Sequence, residues 1–291
     1  MKLKIAVPSK GRISDPAVNI LKKAGLKLKD DSNRKLMSAT YNENIDIMFV
    51  RAADIPTFVA DGIVDMGITG FDLINENNAD VNIMLDLNFG QTCLVLASSE
   101  ESEINSVKDL KNGMKIATEF PNLTKQYLKN NNLEDIEIVK LTGSTEIAPS
   151  IGIADAITDL TSTGTTLKKN HLKIIDTILK SSIKLISNHE SFKNKKELVE
   201  AVSISVGGVI NAEDKKLVMM NVAEKYLNNV KEVMPSMCGP TISQVLSTKK
   251  MVAMQAVVSE GEVFDLVNKL RNAGATDILV VPIERIIKWN F

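Results

Sequence analysis

Asp155-Ala-Ile-Thr-Asp-Leu-Thr-Ser-Thr-Gly-Thr-Thr-Leu167 is a strand, a hydroxyl-rich turn and the start of a helix. Its apolar positions predict a strand over residues 154–160 that ends at Asp159-Leu160. Thr161, Ser162, Thr163, Gly164, Thr165 and Thr166 follow, and a helix begins at Thr165. Strand–turn–helix is the repeating unit of an α/β protein. Hydroxyls and backbone N–H groups at a helix N-terminus suit an anion, because the donors point outward and the helix dipole favours negative charge. Gly164 permits a tight turn and close backbone approach. Asp155 and Asp159 are expected to face a cleft, where carboxylates accept hydrogen bonds from sugar hydroxyls or hold a hydrated Mg²⁺. The competing reading is a Thr-rich turn whose hydroxyls only cap the helix.

The same rhythm extends to both sides. Strands are predicted at 3–8, 45–50 and 64–68, with helices opening at Ser14-Asp15-Pro16 and over 55–60. A second unit follows, with strands at 93–97, 115–117 and 136–140, a helix over 121–128, and short helices at 107–110 and 146–151. Strands are also expected at 184–188 and 203–210, joined by a polar segment read as a solvated helix or loop. This return segment should pack back on the first unit. Residues 1–91 plus 183–212 would then form lobe I, and 92–182 lobe II with the hydroxyl loop. Ligands of such folds sit in the cleft between lobes. From residue 213 to 291 the order changes to β-α-β-β-α-β, that of a ferredoxin-like domain.

Composition removes several classes of function. The 291 residues carry a net charge of -1 with the signs well mixed, which argues against a nucleic-acid or membrane-surface partner. The N-terminal apolar run is too short for a signal peptide, and no run approaches the ~20 apolar residues of a membrane span, so a cytoplasmic protein is expected. Cys93 and Cys238 are the only cysteines and are read as buried reduced thiols. With only His171 and His189, chemistry that depends on a histidine base is poorly supported. Five arginines (Arg12, Arg34, Arg51, Arg271 and Arg285) stand among thirty lysines. The few planar forks are therefore candidates for phosphate contact.

Lys10 and Arg12 follow the first strand on a Gly-containing turn, and Arg51 ends another strand. These are the candidate catalytic cations, against the plainer reading of surface charge. Asp72 follows a strand end at Thr69-Gly70, and Glu146 opens a short helix. Either could reach a sugar, or serve only as a cap or dipole partner. No Gly-Lys-Ser/Thr P-loop is present, nor a Gly-x-Gly-x-x-Gly fingerprint after a strand.

The loop, with Gly143-Ser-Thr-Glu-Ile-Ala-Pro149 before it, resembles the ATP phosphoribosyltransferase family. Ala6-Val-Pro-Ser-Lys-Gly-Arg-Ile13, Arg51-Ala-Ala-Asp-Ile-Pro56 and Asp65-Met-Gly-Ile-Thr-Gly-Phe-Asp72 resemble it too. Pro240-Thr-Ile242 and Gly274-Ala-Thr-Asp-Ile-Leu-Val-Val-Pro-Ile283 resemble the C-terminal domain of the family's long form. One departure is Thr145, where the family more often places an apolar residue before the Glu.

The resemblance implies two catalytic lobes of the periplasmic-binding-protein type followed by an ACT-like regulatory domain at 213–291. It implies transfer of phosphoribosyl from phosphoribosyl pyrophosphate (PRPP) to N1 of ATP, with Mg²⁺ held largely through substrate phosphates. It also implies feedback inhibition by histidine, and dimers that assemble into hexamers. On this reading Lys10, Arg12 and Arg51 bind phosphates, and the loop holds the sugar phosphate. Asp72, Glu146, Asp155 and Asp159 complete the substrate site. Thr241 and Ala275, in the Gly274-Ala275-Thr276 turn, are the candidate regulatory residues. The abundant methionines of the last domain are read as core. Two rival readings are a two-lobed binding protein without catalysis, and a phosphoribosyltransferase with another acceptor.

Overall fold

The computed structural model describes residues 2–30, 36–234, 239–246 and 250–288. Arg34, Met237 and Cys238 lie outside these residues. The chain forms two compact units, residues 2–22 with 26–203, and residues 23–25 with 204–288.

The first unit opens with β1 (Leu3–Pro8), α1 (Ser14–Lys23), β2 (Met37–Ala39), β3 (Ile45–Val50), α2 (Ile55–Ala60), β4 (Met66–Gly70), α3 (Phe71–Glu76) and β5 (Asn82–Asp86). Next come β6 (Thr92–Ser99), β7 (Lys115–Thr118), α4 (Pro121–Asn130), β8 (Glu137–Lys140), β9 (Ala156–Thr161), α5 (Thr165–Lys169) and β10 (Leu172–Ser181). The chain then returns through β11 (Ile183–Ser187), α6 (His189–Asn194) and α7 (Lys196–Ala212), whose residues from Ile204 onward fall in the second unit. One sheet has the order β2-β3-β1-β4-β11-β5, and a second β10-β6-β9-β7-β8. We call them, with their helices, lobe I and lobe II. The chain crosses between them twice, between β5 and β6 and again at Ser182.

Within lobe I, β1 runs parallel to β3 and β4. Their buried side chains, with Ile55 and Val59 of α2, make one core around Ala6, Val64, Ile74 and Ile186. The lobe II sheet is covered on both faces, as period-2 alternation requires. Ile157 faces Val95, Leu167 and Leu172. Its neighbour Ala156 faces the opposite side, with Leu96, Ile116 and Leu128.

Residues 203–210, expected as a strand, are helical within α7. The β-branched run Ile-Ser-Val-Gly-Gly-Val-Ile suggests a strand by propensity, but burial decides the outcome. Val199, Val202, Val206 and Val209 are buried at helical spacing. The Ser203 hydroxyl donates to the Val199 carbonyl one turn back, at 2.8 Å. The start of the return segment packs on lobe I: Asn188 Nδ2 donates to the carbonyls of Val59 and Ala60, at 2.9 and 3.1 Å.

The second unit contains β12 (Lys215–Ala223), α8 (Leu227–Val233), β13 (Thr241–Gln244), β14 (Met251–Ser259), α9 (Glu260–Ala273) and β15 (Ala275–Pro282). Its sheet order is β13-β14-β12-β15, all antiparallel pairs, as in a ferredoxin-like fold. Val218, Met220 and Val222 alternate inward along β12 and meet Met254, Val230, Leu266 and Leu270. Met220, Met234 and Met254 are core residues, as read from the sequence.

Candidate active site

The ends of the parallel strands carry the candidate residues. In lobe I, Ser9 N–H donates to Val50 O at 2.7 Å, so the turn after β1 lies beside the end of β3. Lys10, Arg12 and Arg51 therefore share one edge of the sheet. All three are exposed, and none has an ion pair or side-chain hydrogen bond among the described residues. Unpaired cations at the carboxyl edge of a parallel sheet are what a polyanion needs.

Lobe II presents acids and hydroxyls at the corresponding edge. β7 and β9 are parallel neighbours. Glu119 follows the first and the hydroxyl loop follows the second. Asp159 Oδ2 accepts the Thr145 hydroxyl at 2.8 Å, which brings the short 3₁₀ turn Thr145–Ile147, and Glu146 with it, to the end of β9. Burial raises the pKa of Asp159. The Thr145 hydroxyl and the Leu160 N–H pull it down, Glu146 adds to the push, and the net shift is upward. Burial also raises the pKa of Glu119, and the charges of Asp159 and Glu146 raise it further. Glu119, Glu146 and Asp159 thus form one electrostatically linked set beside the loop.

In the loop itself, Gly164 adopts a left-handed conformation at φ 73°, and its N–H is held by Thr161 Oγ1 at 2.9 Å. The hydroxyls of Thr163 and Thr165 share a hydrogen bond of 2.8 Å. The first residues of α5 leave backbone N–H groups without intrahelical partners. Ser162, Thr163, Thr165 and Thr166 are exposed. An open hollow of about 560 Å³ adjoins the loop, floored by Val95, Leu167 and Ile174. Cys93, expected as a buried thiol, is half-buried on its wall.

Two predicted substrate residues lie elsewhere. Asp155 does not join Asp159. It precedes β9, four residues and roughly 13 Å of strand away, and its carboxylate accepts Lys115 N–H at 2.8 Å. That bond pins the start of β7 beside the start of β9. Asp72 is buried, and Ser181 Oγ donates to its Oδ1 at 2.5 Å. Its place is the crossover between the lobes, since the adjacent Phe71 N–H donates to Ser182 O at 3.0 Å.

Sequence reasoning missed Glu119. The available signal was position: Thr118-Glu119-Phe120-Pro121 joins a strand end to a Pro-initiated helix, as Val50-Arg51 does in lobe I. It also missed three buried threonines. Thr158 Oγ1 lies 2.6 Å from the hydroxyls of both Thr118 and Thr124, which locks the start of α4 to β7 and β9.

In the second unit a hollow of about 220 Å³ lies on the sheet, lined by Met219, Asn221, Ser243, Gln255, Asp277 and Leu279 among others. Neither Thr241 nor Ala275 lines it. Thr241 is exposed and opposes Gln255 on β14. Ala275 is buried against Val222.

Residues 51–207 match the family described as HisG: ATP phosphoribosyltransferase, and residues 212–285 match HisG, C-terminal domain. The chain belongs to the ATP phosphoribosyltransferase family. An ATP phosphoribosyltransferase of Methanothermobacter thermautotrophicus is 58% identical over 99% of this chain and 100% of the relative. That of Methanocaldococcus jannaschii is 52% identical over 97% and 99%. Membership makes the chain a pentosyltransferase, within the glycosyltransferases. Among solved structures, the ATP phosphoribosyl transferase (HisG:HisZ) complex from Thermotoga maritima superposes with TM-score 0.62 at 30% identity, over 70% of this chain and 98% of that one. Tv2483 bound to L-arginine superposes with TM-score 0.50 at 17% identity, over 73% and 86%, a likeness of fold alone. The fold is α/β, with periplasmic-binding-protein-like lobes and an ACT-like C-terminal sheet–helix unit. Among the described residues no helix is long and apolar enough to cross a membrane.

Proposed function

We propose that the chain joins N1 of the ATP adenine to C1 of PRPP, releasing pyrophosphate, as the first step of histidine biosynthesis in the cytoplasm. One observation carries the reading. Within a chain of this family, free cations stand at the strand ends of one lobe, and hydroxyls with acids at those of the other. The adenine N1 lone pair forms the new N–C bond while the C–O bond to pyrophosphate breaks and its electron pair leaves on oxygen. Positive charge builds on the sugar between these events. No base is needed at N1, which suits a site without histidine. Positioning and electrostatic stabilisation are therefore the protein's main contributions.

The loop from Thr161 to Thr166 would hold the 5-phosphate through hydroxyls and N–H groups. Asp159, with Glu146 and Glu119 beside it, would accept hydrogen bonds from the ribose hydroxyls and favour the developing cation. Lys10, Arg12 and Arg51 would neutralise the phosphates of ATP and the departing pyrophosphate.

Mg²⁺, when bound, supplies further positive charge to the leaving group. Among the described residues no three His, Cys, Asp or Glu side chains are gathered closely enough to hold a metal ion. The acids beside the loop suit a partial set, with substrate phosphates supplying the remaining ligands.

For the second unit we propose a sensor role, with histidine as the inhibitor and assembly into dimers and hexamers. The hollow on its sheet offers the Asp277 carboxylate, held by Asn221 Nδ2 at 3.0 Å, to an ammonium group, and Ser243 and Gln255 to a carboxylate. The test is direct: purified protein with ATP, PRPP and Mg²⁺ should form phosphoribosyl-ATP, followed by absorbance. A folded sample that forms none overturns the transferase reading. Added histidine that changes neither rate nor assembly overturns the sensor.

A further inference from the structure

We propose that Glu76 is a positioning residue for the transfer: it caps α4 from the opposite lobe and so fixes the turn that presents Glu119 to the hydroxyl loop. The inference rests on the transferase reading above. Pro121 opens α4 and has no N–H, so Asn122 and Leu123 carry the first backbone donors of the helix. Phe120, at the cap, offers no side-chain acceptor. Glu76 supplies both acceptors instead. Asn122 N–H donates to its Oε1 and Leu123 N–H to its Oε2, each at 3.0 Å. Asn122 Nδ2 donates to the Glu76 carbonyl at 2.8 Å. A carboxylate at this end of a helix also meets the favourable pole of its dipole.

The rest of α3 turns the same way. Leu73 packs into the lobe II cluster of Leu94, Phe120 and Leu123. Asp72, four residues before Glu76, is held by Ser181 at the end of β10. Asp72, Leu73 and Glu76 thus commit one face of this lobe I helix to lobe II. The turn between β7 and α4 is held from behind by the buried threonines, with Phe120 N–H donating to Thr118 Oγ1 at 2.8 Å and Thr124 Oγ1 to Phe120 O at 2.7 Å. Glu76 holds it from the front. Glu119 lies on that turn, so its approach to Asp159 and Glu146 depends on both restraints.

A glutamine at 76 keeps the shape but replaces one acceptor with a donor, which then faces an N–H. In full-length Glu76→Gln we expect the Asn122 and Leu123 amides to exchange hydrogen at least tenfold faster. We expect kcat with ATP, PRPP and Mg²⁺ to fall about tenfold with both KM values within threefold of the parent. Glu76→Asp keeps two acceptors and should recover part of the loss. If Glu76→Gln does not fold, the same readouts on Glu76→Asp decide.

Unchanged amide exchange overturns the cap. Faster exchange with unchanged kcat overturns the positioning role and leaves a structural clasp. A parent protein that forms no product, in which the variant still exchanges faster, overturns the transferase reading and the positioning role with it, while the cap stands.

Discussion

Asp65 receives Lys195 Nζ on both carboxylate oxygens, at 2.8 Å each. Ser191 Oγ adds a bond of 2.6 Å and Lys4 N–H one of 2.8 Å. The pair ties the return segment to β1 and β4. Burial pushes the Asp65 carboxyl up, but the bonds from Lys195, Ser191 and Lys4, with the Lys195 charge, outweigh it and leave its pKa below the usual carboxylate range. A depressed folded-state pKa stabilises the protein above the unfolded value of ~3.9, and that stability is lost as pH falls through the folded value. Asp65→Asn leaves the Lys195 charge without its partner. Lys195 keeps its bond to Lys2 O at 2.9 Å and is partly exposed, so we expect a cost of about 1.5–3 kcal/mol in denaturant unfolding at neutral pH, with the gap to the parent narrowing below pH ~4.

Asp159 and Glu119 carry the opposite sign. A folded-state pKa raised above the unfolded value stabilises the protein only at low pH, and that contribution disappears as pH rises through the folded value. At neutral pH both ionised acids therefore oppose folding. Asp159→Asn and Glu119→Gln should each raise the melting temperature of the free protein. If these acids bind the ribose as proposed, loss of a charged hydrogen bond to it, about 1.5–3 kcal/mol, should lower kcat/KM roughly ten- to hundredfold. The parent's kcat/KM should fall on the acid side at a pH above the ordinary carboxylate range. An acid limb at pH ~4 would contradict the raised values.

The sequence made most elements legible where apolar period and strand ends agree, as in β1, β9 and α9. It failed at β10, whose alternation with the core is broken by register shifts at Ile174/Asp176 and Thr177/Leu179. It failed at α7, where β-branched residues obey helical burial. The hydroxyl loop was legible because its residues are contiguous. Glu119 was not, because its neighbours Glu146 and Asp159 arrive from other segments. Asp72 follows a strand end, which alone suggests a site residue, but its partner Ser181 is 109 positions away in sequence. Local pattern locates strand ends; only packing shows which of them are filled by the protein itself.

The loop offers a charge test. Thr163 is exposed, and its hydroxyl already shares a bond with Thr165. Thr163→Asp places a carboxylate where a phosphate should sit. We expect the KM for PRPP to rise at least tenfold, with the KM for ATP changed far less and the folded state intact. An unchanged KM for PRPP would remove the loop from the phosphate site. Gly164→Ala separates charge from geometry. A Cβ there meets nothing closer than Ile174 Cδ1 at 3.8 Å, so its cost is the left-handed backbone alone, about 1 kcal/mol.

Gly274 poses the same question in the second unit, with a collision added. It ends α9 at φ 106°, donating its N–H to Arg271 O and Leu270 O. A Cβ at this position would stand 2.6 Å from Tyr226 Cγ and 2.7 Å from Cδ2. Gly274→Ala therefore combines backbone strain of about 1–2 kcal/mol with overpacking of about 1–3 kcal/mol. We expect a loss of roughly 2–5 kcal/mol in the unfolding of this unit. A double-mutant cycle with Tyr226→Ala separates the two costs. Without the ring, Gly274→Ala should retain only the backbone cost. An equal cost in both backgrounds would show that Tyr226 moves aside freely, and that the turn into β15 needs Gly274 for its conformation alone.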